Sequence, residues 1–331
     1  MTQRERILRL LSDGRFRSGA ALGETLGIGR SAVWKHVRAI KDLGVDVFAV
    51  PGRGYRLAAP IELLDREEIV RRLDPGNAGR LRGLEIRFEI DSTNRYLLDH
   101  AARGGERPWL CFAETQSAGR GRRGRRWLSP FGANLYFSLL WRFELGADVL
   151  TGLSLVAGAA IAEALHRMGI EGIGLKWPND LFHENRKLGG LLIEVSGEAS
   201  GPWDAVVGVG INLDMPRIAG RGIDQPWTDL NTAAGRSLGR NRAAAAVVDA
   251  LLDALPRFER RGFAPFRALW TRYDIALDRM VSLHTGNGRM ETGRARGVGE
   301  QGALLLECDG IVRSVTSGDI SLRFAGSDPA R

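Results

Sequence analysis

A short segment of glycine and arginine, Gly119–Arg125, limits the folds open to this chain of 331 residues more than any other feature. Its glycines satisfy the formula G-x-G-x-x-G of dinucleotide-binding turns, which needs a helix directly after it. Here Trp127-Leu128-Ser129-Pro130 follows, the proline ends any helix, and no acidic residue lies at the expected distance beyond. The phosphate-loop pattern G-x-x-x-x-G-K-[ST] is absent from the sequence. The segment therefore predicts an open loop rather than either nucleotide-binding turn.

The same loop concentrates positive charge. Its cations are Arg120, Arg122, Arg123, Arg125 and Arg126. Their mutual repulsion would be relieved by a bound phosphate. The whole chain carries a formal charge of +8, which favours polyanionic partners, although a general preference for arginine explains part of it. The loop therefore predicts anion binding, with a solvated basic loop or an RNA-binding patch as alternatives.

Lysine, by contrast, is rare. Only Lys35, Lys41, Lys176 and Lys187 occur in the sequence. Where arginine is used so freely, a retained lysine can mark a place that needs the compact charge of an ammonium group rather than a planar guanidinium group. Chance also leaves some lysines behind, so the pattern singles out these positions without giving them a role.

The first sixty residues have the pattern of a helix-turn-helix. An apolar stripe over residues 7–11 predicts a first helix, and Ser18 suits the N-cap of a second helix over residues 20–26. A glycine turn separates it from a third helix, Arg30 to Leu43. The polar or aromatic side chains expected to project from the third helix are Arg30, Ser31, Trp34, Lys35, Arg38 and Lys41. Exposed cations on the helix after such a turn are typical of DNA-binding modules.

A predicted hairpin completes this module. The strands Asp46–Val50 and Tyr55–Leu57 flank the glycine-rich turn Pro51–Gly54, which carries Arg53 at its tip. Such a wing can reach a phosphate backbone or a minor groove. The hairpin therefore strengthens the prediction of DNA binding. The alternative is a small protein-interaction module whose basic face is only solvated.

Past the wing, hairpins outnumber crossovers, which predicts a mainly antiparallel sheet backed by helices. Asp91–Asn94 lies between a strand and a helix, where its side chains either cap the helix or grip a polar ligand. Lys176–Asp180 ends a strand in a turn whose polar side chains could take part in binding or catalysis. Lys187 precedes Gly189 and Gly190, where a ligand could approach the backbone closely.

Three further features concern cell context and the carboxy-terminal part. Cys111 and Cys308 are the only cysteines, so neither a disulfide framework nor a cysteine zinc site is expected. The apolar stretch 150–162 is too short to span a bilayer, and the start lacks a secretory pattern, so a cytosolic protein is predicted. From Arg279 onward, short strands alternate with glycine turns, which predicts a small β-barrel.

Five motifs, in this order and spacing, resemble those of biotin protein ligases. They are Asp91–Asn94, Gly119–Arg125, Lys176–Asp180, Arg186–Gly190 and Gly210–Asn212. The winged amino-terminal module makes the chain similar to the bifunctional members, which also repress the biotin-synthesis operon. The alternatives are a ligase whose amino-terminal module regulates nothing, a lipoate-type acyl ligase, and a ligand-sensing transcription factor with an inactive enzyme core.

The resemblance implies an α+β multidomain protein in three parts. These are a winged helix-turn-helix over 1–64, a central α/β ligase domain over 65–273, and an SH3-like β-barrel over 274–331. The central fold is expected to be like that of class II aminoacyl-tRNA synthetases, with a mixed, mainly antiparallel sheet. Biotin and ATP with Mg²⁺ would give biotinyl-5′-AMP, which a lysine of the biotin carboxyl carrier protein then attacks. A homodimer bound to biotinyl-5′-AMP would repress a two-fold symmetric operator.

The resemblance also implies residue roles. Catalysis is expected from Lys187, Arg120, Arg122 and Asp180. Biotin binding is expected from Ser92, Thr93, Asn94, Gln116, Arg120, Gly121, Arg122 and Lys187. ATP or adenylate binding is expected from Trp127, Lys176, Asn179, Asp180, Asn212 and Arg323, and DNA binding from Arg30, Ser31, Trp34, Lys35, Arg38 and Arg53. No metal site of the protein itself is predicted, because Mg²⁺ would arrive with ATP. Glycine at position 189, where the family often has alanine, is expected to enlarge the pocket slightly.

Overall fold

The computed structural model describes residues 1–144, 152–197, 201–284 and 290–316, together with the backbone of 321–324. Within this part of the chain, none of the helices is both long enough and apolar enough to cross a bilayer. The apolar stretch 150–162 falls largely in the helix α7, Leu153–Arg167, and residues 150 and 151 lie outside the described residues.

The amino-terminal part is the predicted helix-turn-helix with its wing. Its elements are α1 Gln3–Leu11, α2 Gly19–Leu26, α3 Arg30–Lys41, β1 Val47–Val50 and β2 Gly54–Leu57. Ser18 caps α2 by accepting a hydrogen bond from the Ala21 amide at 3.0 Å. Val33, Val37 and Ile40 turn one face of α3 into the small core, as their helical spacing predicts.

The central part is built on a seven-stranded sheet. Its strands are β3 Gly83–Arg87, β4 Trp109–Ala113, β5 Leu135–Phe143, β6 Ile173–Lys176, β7 Asp180–His183, β8 Arg186–Gly197 and β9 Trp203–Ile211. They lie in the order β3-β4-β5-β9-β8-β7-β6, and the pairing of β3 with β4 is parallel whereas the other pairings are antiparallel. The predicted mixed, mainly antiparallel sheet is confirmed.

Helices pack on both faces of this sheet, with α7 and α10 on one face and α6 on the other. They are α4 Arg66–Arg72, α5 Pro75–Arg80, α6 Thr93–Ala102, α7, α8 Arg217–Gly220, α9 Leu230–Ala234, α10 Arg240–Arg261 and α11 Arg267–Tyr273. The strand β5 alternates, because Phe137 and Leu139 join the large core with α7 and α10, whereas Leu140 joins a small cluster under α6. Ser138 therefore faces the same side as α6, where polar side chains gather.

The carboxy-terminal part is an antiparallel sheet. Its strands are β10 Met280–His284, β11 Met290–Val298, β12 Leu304–Cys308, β13 Ile311–Val315 and β14 Ser321–Phe324, in the order β13-β12-β11-β10-β14. A barrel closes only when its two outer strands pair with each other. No such pairing joins β13 to β14 in the described strands, so the sheet is open there and the predicted closed barrel is not found.

The winged module packs directly on the central part. Phe131, which follows the glycine-arginine loop, belongs to the apolar cluster of the winged module and packs at a tilt against Phe88, with ring centroids 4.8 Å apart. Nearby, Arg4 pairs with Glu89 at 2.9 Å. The loop and the winged module are therefore joined by a short, packed segment.

A buried ion pair fixes the linker between these two parts. Arg240 and Glu114, each with a 3% exposed side chain, lie 2.7 Å apart, and Glu114 also accepts a hydrogen bond from the Leu64 amide. Arg240 further donates to the carbonyl oxygens of Glu62 and Asn134. The two charges pair with each other and also bond the backbone of Glu62 and Leu64. They therefore hold the linker against the central part.

Candidate functional site

A polar network lies where α6 begins, at the motif Asp91–Asn94. Ser92 is the N-cap of α6, and its hydroxyl lies 3.5 Å from the Arg95 amide that it accepts from. Thr93 donates through its amide and hydroxyl to Gln116 Oε1, at 2.9 and 3.2 Å. Gln116 in turn lies 3.4 Å from the Ser129 hydroxyl. Helix capping thus accounts for the serine at position 92. Thr93 does not cap the helix and instead hydrogen-bonds Gln116, which follows the strand β4.

Asn94 is held in one orientation by its neighbours. Its Nδ2 donates to the Leu192 carbonyl at 3.2 Å and to Glu194 Oε2 at 2.8 Å, while its Oδ1 lies 2.6 Å from the Ser138 hydroxyl. A Cβ atom at Gly208 would lie 2.1 Å from Asn94 Oδ1, so the strand admits this side chain only because position 208 is glycine.

Lys187 and Lys176 converge on one carboxylate. Lys187 Nζ lies 2.8 Å from Asp180 Oδ1, and Lys176 Nζ lies 3.7 Å from Asp180 Oδ2. The three side chains are 14–18% exposed. A register shift between Leu181 and Phe182 where β7 pairs with β8 brings Lys187 opposite Phe182, next to this carboxylate. The result is a shielded cluster with one more positive than negative charge.

The glycine-arginine loop closes on itself above this cluster. Arg120 bridges to Arg126, the Gly121 amide donates to the Arg125 carbonyl at 2.7 Å, and Arg122–Gly124 forms one short 3₁₀ turn. Gly124 has φ +70°, a conformation that glycine adopts without strain. The prediction of a loop without a following helix is confirmed.

Two arginines of the loop reach into the site. Arg120 Nη2 lies 3.2 Å from both carboxylate oxygens of Glu194. Arg122 Nη1 lies 3.5 Å from Asn179 Oδ1, and Asn179 is itself held by the Leu191 carbonyl at 2.5 Å. The loop therefore spans from the Asn94 network to the Lys187 cluster.

Trp127 forms a flat wall beside the lysines. A Cβ atom at Gly210 would lie 2.6 Å from its ring, so the indole rests directly on the strand backbone. Lys187 Nζ lies 5.9 Å from the ring centroid. The indole Nε1 is buried, faces the strand at Gly210 and has no hydrogen-bond partner among the described residues.

Two further residues expected on the nucleotide side, Asn212 and Arg323, are described to different extents. Asn212 is 4% exposed and donates to the Thr228 carbonyl at 3.0 Å, which pins the segment after β9 to the sheet. The backbone of Arg323 lies on β14 opposite Ser282, and its side chain falls outside what the structure describes. A role for either residue in nucleotide binding stays a prediction.

The expectation for Gly189 was wrong. A Cβ atom at this position would lie 2.6 Å from the Gly210 carbonyl oxygen and 3.3 Å from Ile211 Cα. The glycine therefore allows a close approach of two strand backbones and adds no space to a pocket.

The winged module carries its cations on the surface. All six predicted DNA-binding residues are exposed: Arg30, Ser31, Trp34, Lys35, Arg38 and Arg53. Trp34 is 52% exposed, with the Arg38 guanidinium 5.8 Å from its ring centroid. At the wing, the Arg53 guanidinium lies 4.2 Å over the Phe16 ring. The structure thus brings together a basic, partly aromatic face on α3 and the wing.

Several residues of the site were missed from the sequence. Ser138 and Glu194 lie inside strands, outside the resembling motifs, and nothing in their local pattern marks them. Gly208 and Gly210, two residues apart on β9, were a usable signal, because two glycines on one strand face indicate a close approach. The buried thiol of Cys111 takes no part, and burial raises its pKa to about 12.

Three family descriptions match successive parts of the chain. "HTH domain" matches residues 3–56, "Biotin/lipoate A/B protein ligase family" matches residues 86–212, and "Biotin protein ligase C terminal domain" matches residues 276–323. The second range covers the Asp91–Asn94 motif, the glycine-arginine loop, the lysine cluster and Asn212.

Whole-length relatives agree with these matches. The chain is 45% identical over 322 residues to the bifunctional ligase/repressor BirA of Escherichia coli, covering 97% of each chain. It is 30% identical to the protein of that name from Bacillus subtilis, over 97% of this chain and 99% of the relative. The solved structure of biotin protein ligase from Aquifex aeolicus in complex with biotin and ATP is 29% identical, with a TM-score of 0.63 over 74% of this chain and 100% of that one.

Proposed function

We propose a mechanism from one premise, which is that the chain belongs to the biotin protein ligase family and resembles its bifunctional ligase/repressor members over nearly its whole length. The protein is an ATP-dependent ligase that activates biotin as biotinyl-5′-AMP and transfers it to a lysine of the biotin carboxyl carrier protein. It is also a DNA-binding repressor of the biotin-synthesis operon.

The first step joins two anions. A carboxylate oxygen of biotin attacks the α-phosphorus of ATP, a P–O bond forms, and the bond to pyrophosphate breaks. The reacting groups repel each other, and that repulsion grows as water leaves the site, so cations held in place beforehand lower the barrier. The observation that carries the proposal is the shielded cluster of Lys187, Lys176 and Asp180 beside the loop arginines.

We assign Lys187 to the reacting carboxylate and phosphate. Asp180 holds its ammonium in place at 2.8 Å, and Lys176 keeps that carboxylate from cancelling all the positive charge. Arg122, next to Asn179, would add charge on the phosphate side. Mg²⁺ would enter with the phosphates of ATP as part of the substrate.

Biotin would lie against the start of α6. Its cyclic urea offers one carbonyl acceptor and two N–H donors, and Ser92, Thr93, Asn94 and Gln116 supply matching groups there. Trp127 would pack against the adenine ring, since the face of its indole lies beside Lys187. Asn212 and Arg323 would complete the nucleotide side.

The loop Gly119–Arg125 would act as a lid. In the second step the ε-amine of the carrier lysine attacks the anhydride carbonyl, an amide forms, and AMP leaves. Until then, the anhydride must be kept from water. A glycine-rich loop whose arginines reach both ends of the site can supply that cover.

For DNA binding, we assign the exposed face of α3 and the tip of the wing. Arg30, Ser31, Trp34, Lys35 and Arg38 would enter the major groove, and Arg53 would contact the backbone or minor groove beside it. Family resemblance favours a homodimer formed with biotinyl-5′-AMP on a two-fold symmetric operator. The protein would act in the cytosol, where ATP, the carrier protein and the operator occur together.

We also propose the finer features of the fold. The central part would be like class II aminoacyl-tRNA synthetases, and the open carboxy-terminal sheet would have an SH3-like order of strands. The domain limits would be 1–64, 65–273 and 274–331. Glu62 and Leu64 contact Arg240 and Glu114 of the central part, so the first limit falls in the segment where the two parts meet.

One assay tests the ligase function. Exchange of labelled pyrophosphate into ATP should require biotin and should not respond to lipoate, followed by labelling of the carrier protein. Exchange driven by lipoate would favour the rival lipoate-type ligase, and no exchange with either acid would favour an inactive sensor. A gel shift on DNA upstream of the biotin genes, with biotinyl-5′-AMP present, tests the repressor role; its absence would leave a ligase alone.

A further inference from the structure

We propose that Glu194 is a positioning residue that ties the glycine-arginine lid to the biotin-binding end of the site. This role rests on the proposed ligase function and adds a residue that lies outside every recognised motif. Glu194 is on β8, and its side chain is 26% exposed. It contacts Asn94 on one side and Arg120 on the other.

The geometry of the carboxylate makes it a bridge. Glu194 Oε2 accepts from Asn94 Nδ2 at 2.8 Å, and both of its oxygens lie 3.2 Å from Arg120 Nη2. A single carboxylate thus joins the amide assigned to biotin and the first arginine of the lid. Ordering either partner restricts Glu194, and through it the other partner.

Hydrogen-bond accounting at Asn94 shows what Glu194 decides. The carboxamide has two N–H groups, and both are used, by the Leu192 carbonyl and by Glu194. Its Oδ1 keeps one lone pair beyond the contact with Ser138. Asn94 can therefore offer biotin an acceptor, and an N–H of the cyclic urea is the complementary donor. Glu194 and the Leu192 carbonyl both favour that orientation, because neither group can donate.

The link to Arg120 has a consequence for the lid. Arg120 begins the loop and Arg122 reaches the other end of the site, so the ion pair anchors one side of the cover over the adenylate. Without the charge at position 194, the lid would open more often and release biotinyl-5′-AMP. Without any hydrogen-bonding group there, the Asn94 carboxamide would also be held less firmly, since only the Leu192 carbonyl would accept from its Nδ2.

Three variants at position 194 separate these effects. Glu194→Gln keeps an acceptor for Asn94 and removes the charge, so we expect release of biotinyl-5′-AMP to rise about fivefold, in line with a partly exposed ion pair, with biotin affinity unchanged. Glu194→Ala should additionally weaken biotin binding, by about tenfold. Glu194→Asp should restore part of the wild-type behaviour. Dissociation rates come from stopped-flow fluorescence and biotin affinity from calorimetry.

A matched control and a salt series keep the test specific. Glu68→Gln removes a Glu–Arg pair of similar exposure on α4, where Glu68 lies 2.7 Å from Arg72, and should leave release unchanged. Raising salt should speed release from the wild type and narrow its difference from Glu194→Gln, because screening weakens the same ion pair. A purely structural loss would show no such convergence.

A double-mutant cycle with Arg120→Ala completes the experiment. We expect the two substitutions to be non-additive for release, because each removes the same pair. Release of biotinyl-5′-AMP at the wild-type rate in Glu194→Gln, or full additivity with Arg120→Ala, would overturn the role of Glu194. Such a result would not touch the ligase function, which rests on biotin-dependent pyrophosphate exchange. Loss of that exchange in the wild type would instead overturn the ligase function itself.

Discussion

The central site and the winged module use the same side chain in opposite surroundings. Lys176 and Lys187 are 15% and 14% exposed and share Asp180. Lys35 and Lys41 lie on the exposed face of α3 and form no ion pair within the described residues. A shielded lysine interacts strongly with a reacting anion because little water screens it. An exposed lysine that binds a polyanion such as DNA instead releases counterions from it, so its contribution depends on salt. The two regions should therefore differ in how they respond to substitution and to salt.

The largest effect is expected at the shielded lysine. Lys187→Ala should lower the rate of adenylate formation about 100- to 1000-fold, the range for removing one preorganised charge-stabilising group, while biotin alone still binds. Pyrophosphate release and calorimetry with biotin measure the two quantities. Lys41→Ala, an exposed lysine lost from α3, serves as the control. An unchanged rate of adenylate formation in Lys187→Ala would show that the shielded lysine does not stabilise the reacting anions, and the contrast with the exposed lysines would fail.

The strand glycines test whether the central site depends on close packing. Gly208→Ala would place a Cβ atom against Asn94 and should weaken biotin binding, whereas Gly210→Ala would press on Trp127 and should weaken ATP binding. Overpacking of about 1–3 kcal/mol corresponds to roughly fivefold to 100-fold in affinity. Separate titrations with biotin and ATP should show this division. Equal losses for both ligands in both variants would mean that the sheet was disturbed as a whole.

The lid gives a smaller effect. Arg122→Gly should raise escape of biotinyl-5′-AMP about tenfold, the worth of one hydrogen bond to a charged group, and should increase labelling of bystander proteins. Labelling of an unrelated lysine-rich protein, blotted with streptavidin, measures the leak. If bystander labelling stays at the wild-type level, Arg122 does not shield the anhydride.

The smallest effect is expected on the winged module. Lys35→Ala should weaken operator binding about fivefold at physiological salt and lower the slope of log affinity against log salt by about one, as for one lost phosphate contact. Adenylation should not change. Arg167→Ala, an exposed cation on α7, provides the control. A gel-shift series over salt concentration gives the slope, and a slope equal to the wild type would place Lys35 off the DNA.

Much of the winged module could be predicted from the sequence because its signals are local. The helical spacing of Val33, Val37 and Ile40, the cap at Ser18 and the glycine turn of the wing each depend on neighbours in the chain. The exposure of Trp34 and Lys35 follows from the same spacing. The motifs of the central site were likewise visible as residues, although their contacts were not.

The sequence alone determined the family, the mainly antiparallel sheet, and the loop without a following helix, since these follow from motif order and local pattern. Only the tertiary structure decided that Asp180 contacts two lysines, that Glu194 joins Asn94 to Arg120, that Gly189 lets two strand backbones approach closely, and that the carboxy-terminal strands leave an open sheet in the described part of the chain. Each of these depends on strand register and on which edges pair. A shift of one residue reverses the face of every side chain, and no local pattern specifies that choice across distant strands.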